Sequence, residues 1–88
     1  MKKLKIEVIE KRGPAGCENN YQVGQTWIME DNCVPEGFCI GVLSALLPWF
    51  TCALYDASIP WSNDGSIEVC CTDPDHPVVF RINEYAGA

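Results

Sequence analysis

The sequence is short of positive charge, holds a single histidine and has no C-x-x-C pair. Each scarcity excludes something. Six Lys and Arg against twelve Asp and Glu leave a formal charge of −6, whereas a nucleic-acid binder needs a basic stripe to displace counterions from phosphates. Five of the six basic residues (Lys2, Lys3, Lys5, Lys11, Arg12) fall within the first twelve positions, but Glu7 and Glu10 interrupt them. That cluster reads as the wet face of a strand. With His76 as the one imidazole, no Ser-His-Asp arrangement can be argued. No glycine-rich phosphate loop is present, and the cysteine spacing matches no zinc-ribbon or ferredoxin pattern.

An unbroken apolar stretch is also missing near the start. After Met-Lys-Lys, the run LKIEVIE alternates apolar and charged residues where a secretory signal would be continuously apolar. A cytoplasmic protein is expected, and there six cysteines stay reduced, which favours thiol, metal or core roles over a disulfide framework. At 88 residues the chain forms one domain, 1–88. A domain of this size buries roughly 60–65% of its unfolded surface, so a metal or self-association would add needed stability.

The pattern that is present predicts a small α+β domain of order β-β-α-β-β, a mainly antiparallel sheet with a kinked helix or helical hairpin packed on one face. Leu4, Ile6 and Val8 alternate with charged residues as a first strand, and QTWIME supplies a second after the loop KRGPAGCENNYQVGQ. Pro35-Glu36 fits the first turn of a helix, where a missing N–H costs nothing and a carboxylate meets the positive dipole end. FCIGVLSALLPWFTCALY runs without a charge from Phe38 to Tyr55. It is not read as a membrane span, because Pro48 interrupts it and its flanks are Glu36 and Asp56. IEVCC and VVFRINE complete the sheet around the TDPDHP turn.

The adjacent thiols Cys70 and Cys71 end the third strand. Strand alternation puts Cys71 on the face of Ile67 and Val69 and Cys70 on the face of Glu68, so Cys71 is expected inside and Cys70 outside. A disulfide between them is disfavoured, since neighbouring α-carbons lie about 3.8 Å apart and bridged pairs need about 4.4–6.8 Å. Cys39 falls in the first turns of the helix, where the dipole lowers a thiol pKa. Cys17 lies in the loop after the first strand. Cys52, thirteen residues beyond Cys39, is rotated about 140° round the helix and reads as core. Asp73 and Asp75 read as turn caps, His76 as a residue at the hairpin mouth, and Trp27, Trp49 and Trp61 as core or interface aromatics.

Cys17 with Val23-Gly24, Pro35-Glu36-Gly37-Phe38-Cys39, Pro48, Pro60-Trp61 and Cys71-Thr72-Asp73 leading to Pro77-Val78-Val79-Phe80 together resemble a family of short, uncharacterised, conserved hypothetical prokaryotic proteins. The resemblance covers nearly the whole chain. It implies that Cys17, Cys39 and Cys71 are the recurring thiols and that Cys33, Cys52 and Cys70 are extras. The family often has Gly-His where this chain has Asn20-Tyr21, and Asp where it has Gln25.

Three functions follow as expectations. In the first, Cys17, Cys39 and Cys71 bind zinc, copper(I) or an iron–sulfur unit, with Cys70, His76 or water as a fourth ligand. In the second, the same thiols act without metal, Cys39 being the nucleophile. In the third, the cysteines only pack and the chain is an interaction module. Homo-oligomerisation is expected, because Phe38, Ile40, Val42, Leu43, Leu46, Leu47, Trp49 and Phe50 spread round more than one helix face, the alternative being that Pro48 splits the segment into a hairpin that buries its own second face. Nucleic-acid and membrane partners are not.

Overall fold

The computed structural model describes residues 3–12, 21–30, 33–60, 62, 65–71 and 77–85. It has the expected order: a four-stranded antiparallel sheet and one helix. In β1 (Leu4–Lys11), Leu4, Ile6 and Val8 are fully buried while Lys5 and Glu7 between them reach water. Alternate side chains point to opposite faces of a strand, so one face becomes core and the other stays polar. β2 (Thr26–Met29) pairs with the first half of β1, and β4 (Val78–Glu84) pairs along the whole of it. A bulge at Ile9 shifts the second register. β3 (Ile67–Cys70) flanks β4, giving the order β2-β1-β4-β3.

The helix, α1 (Ile40–Leu54), buries Val42, Leu46 and Phe50. These residues are spaced four apart and so form one stripe. That stripe lies over β3, β4 and β1. Cys52 packs half-buried against the core, as do Trp27 and Trp49. Of the two arrangements open to the uncharged run, the single helix forms: it continues through Pro48 without breaking into a hairpin. Pro48 and Ser44 both face solvent, so water can serve the Ser44 carbonyl that the proline leaves unbonded. At the other end Asp56 takes φ 56 and the Ala57 N–H bonds the Cys52 carbonyl at 2.9 Å, closing the last turn. Among the described residues, no helix is long and apolar enough to cross a membrane.

The helix begins later than its local signals indicate. Pro35 and Glu36 lie outside it, and Cys39 is the N-cap. The physical cause is Gly37, whose φ of +106° is incompatible with a helix and turns the chain toward Trp27. A Cβ on Gly37 would lie 3.1 Å from Trp27 Nε1, whereas Gly24, at φ +93°, faces open space. Alanine at either position carries backbone strain of about 1–2 kcal/mol, but only at Gly37 must a packed ring also move. Gly37→Ala should therefore cost about 1 kcal/mol more than Gly24→Ala in urea unfolding, the excess measuring the contact with Trp27.

Candidate functional site

Cys39 is placed by the segment before the helix. Phe38 stacks on Trp27 with ring centroids 4.7 Å apart and reaches toward Phe50 at 6.3 Å, which pins the chain to the core one residue before the cap. The Cys39 carbonyl accepts the first helical bond from the Leu43 N–H at 2.9 Å. Its own N–H donates to the Tyr21 hydroxyl at 2.9 Å. The first turn has no acidic residue, and the sulfur forms no closed cap bond in this geometry. Burial pushes the Cys39 thiol up, but the Tyr21 hydroxyl and the N–H groups of Val42, Gly41 and Cys39 itself outweigh it and hold the pKa below the ordinary thiol value.

Cys71 closes the β3–β4 ladder. Its N–H donates to the Val78 carbonyl at 3.0 Å, and the Val78 N–H donates to its Sγ at 3.3 Å. The residue is 7% exposed and belongs to the core, while Cys70 faces out on the opposite side, paired with Val79. The face assignment made from alternation holds. Cys70 consequently does not share a face with Cys71, which weakens it as a fourth ligand beside that residue.

Cys17 and His76 lie outside the described residues, as do Asp73, Asp75 and Trp61. The residues that flank their segments are visible, and they meet. The Arg12 N–H donates to the Pro77 carbonyl at 2.9 Å, and Tyr21 packs edge-on against Phe80, with centroids 5.5 Å apart. Arg12 and Tyr21 bracket the stretch containing Cys17, and Cys71 and Pro77 bracket the one containing His76. Arg12 and Pro77 thus bring one flank of each stretch together. Cys33 is exposed, and all five described cysteines are free. Among the described residues, no group of three His, Cys, Asp or Glu side chains is arranged to hold a metal. A cavity of about 500 Å³ lined by Lys5, Asp56, Ile67 and Glu84 has no cysteine in its walls.

Tyr21 is the site residue that sequence reasoning passed over. It stands in a stretch rich in Gly, Pro and Asn that reads as exposed loop, yet it is buried. The signals were an aromatic ring in polar company and its place where the resembled family often has histidine. No family model matches the chain, and neither a curated protein nor a solved structure matches it. The family resemblance rests on the spaced motifs alone.

Two measurements test this geometry. Iodoacetamide should modify Cys70 well before Cys71 in the folded protein; the reverse order would contradict the face assignment. Followed by mass spectrometry from about pH 5 to 10, alkylation of Cys39 should have a midpoint below that of the same cysteine in urea. The sign follows from linkage: the folded state favours the thiolate, so this group contributes stability above its unfolded pKa and loses it as pH falls through the folded pKa.

Proposed function

We propose that the chain is a small cytoplasmic thiolate protein that binds a soft metal, zinc, copper(I) or an iron–sulfur unit, through Cys17, Cys39 and Cys71. The observation that carries the reading is that both described members of the trio stand at element ends with N–H donors beside the sulfur. Cys39 has the N–H groups at the helix N-terminus, and Cys71 has the Val78 N–H. Hydrogen bonds of this kind orient metal-bound thiolates and tune their basicity. His76 or water is the fourth ligand in this reading, since Cys70 faces away from Cys71.

A second reading has a specific observation in its favour. The lowered Cys39 pKa also suits a metal-free nucleophile, with thiol chemistry at the helix mouth. Self-association completes the proposal. Ile40 is 85% exposed and Leu47 45% exposed, and together with Pro48 and Tyr55 they leave an uncharged outer face on α1. That is the surface on which two copies of a chain carrying −6 charges can meet without repulsion.

Protein purified without oxygen should contain near-stoichiometric zinc, iron or copper by elemental analysis, and Cys39→Ser should lower the metal affinity at least about tenfold. Metal-free wild-type protein whose Cys39 still titrates low would move the assignment to the nucleophile. Sedimentation over a hundredfold range of concentration, on the order of micromolar to fractions of a millimolar, should show a dimer or higher closed oligomer. A strict monomer throughout would remove the interface on α1.

A further inference from the structure

Tyr21 belongs to no regular element, yet it is only 2% exposed. Its ring meets Phe80 and Trp27 edge-on, at 5.5 and 5.8 Å between centroids. A phenylalanine would pack as well. The hydroxyl does what phenylalanine cannot: it accepts the Cys39 N–H at 2.9 Å and donates to the Gly37 carbonyl at 3.3 Å. Burying a hydroxyl is costly unless it is bonded, so this one is held where both bonds can form. In a capping box the N–H of the N-cap residue is taken by a Glu or Gln three positions into the helix. Here that position is Val42, fully buried and without a side-chain acceptor. The acceptor comes instead from a residue eighteen positions upstream in the chain.

We propose that Tyr21 is the positioning residue of the Cys39 site. Its hydroxyl replaces the missing capping-box acceptor, ties the two sides of the Gly37 turn together and fixes the Cys39 sulfur at the mouth of α1. Without it, the cap residue would have an unbonded N–H two positions after a left-handed glycine, and only the bond from the Leu43 N–H to its carbonyl would hold its backbone. The inference rests on the reading of Cys39 as a working thiolate, whether for metal or as a nucleophile.

Tyr21→Phe keeps the ring and removes the oxygen. In the full-length, metal-free protein, amide exchange at Cys39 should accelerate at least about tenfold. The sheet-bonded amides of Val8 and Cys71 should keep their wild-type rates. With Co(II) alone as the metal probe, the variant should bind about ten- to a hundredfold more weakly and show a shifted thiolate charge-transfer band. Unchanged exchange at Cys39 would overturn the proposal. So would equal acceleration at Cys39, Val8 and Cys71, or a wild-type cobalt spectrum in the variant. Should the variant fail to fold, the wild-type protein decides: a protected Cys39 amide upholds the bond, and an unprotected one refutes it. If the wild-type chain takes up no Co(II), the metal reading alone falls, because the exchange comparison judges Tyr21 without metal.

Discussion

One helix is too narrow for this sheet. Strands lie about 4.8 Å apart and a helix with its side chains is about 10 Å wide, so one helix covers two or three strands of four. α1 lies over β3, β4 and β1, leaving the inward side of β2 to be covered by something else. Trp27 stands on that inward side beside Ile6. Phe38 covers it from above, and Tyr21 packs edge-on against both it and Phe80. For Phe38 to reach β2, the chain must cross the sheet before it enters the helix. Gly37 makes that crossing with its positive φ, and the helix therefore starts at Cys39 with its cap beside Tyr21. The position of the thiol follows from the coverage problem.

The same rings that complete the core thus build the site. Each edge-on or tilted aromatic contact is worth about 0.5–1.5 kcal/mol beyond its burial, which is a sizeable share of the stability of a domain this small. The Tyr21 hydroxyl would weaken that core if it were unbonded. Bonded to Cys39 N–H and the Gly37 carbonyl, it serves the packing and the thiol together. Disturbance of the ring cluster should move the properties of Cys39, whereas changes on the ion-paired outer face, such as at Glu68 and Arg81, should leave them alone.

This division explains what the sequence could and could not convey. Strand alternation is a relation among neighbours, so the burial of Leu4, Ile6 and Val8 and the opposite fates of Cys70 and Cys71 were legible from a few residues each. The β-β-α-β-β order followed from the same local patterns. The start of the helix did not, because Pro35 and Glu36 are good first-turn residues in isolation. They were overridden by a glycine turn and by a tyrosine eighteen positions before the cap. The choice between a hairpin and one helix depended on which side Pro48 would face, and that is fixed by Val42, Leu46 and Phe50 meeting the sheet. For the thiol trio, the legible part was the character of Cys39 and Cys71 as residues at element ends; Cys17 stands outside the described residues.

The capping of α1 connects its stability to the state of one sulfur. Ser, Thr, Asp or Asn at an N-cap bonds the free N–H groups of the first turn, and an acidic residue there offsets the positive end of the dipole. This helix has cysteine at the cap, no acid in its first turn and no base in its last. Asp56, just beyond the C-terminus, adds negative charge at the end where it is least favourable. A neutral thiol is a poor partner for the first-turn donors. A thiolate, whether free or bound to metal, gives them a negative acceptor. Deprotonation of Cys39, or a metal bound there on the proposed reading, would therefore strengthen the helix that covers the sheet. In such an arrangement the free energy of occupying the sulfur is also free energy of folding. The cysteine at the cap gives up intrinsic helix stability in the thiol form, and would recover it were the sulfur to carry charge or metal.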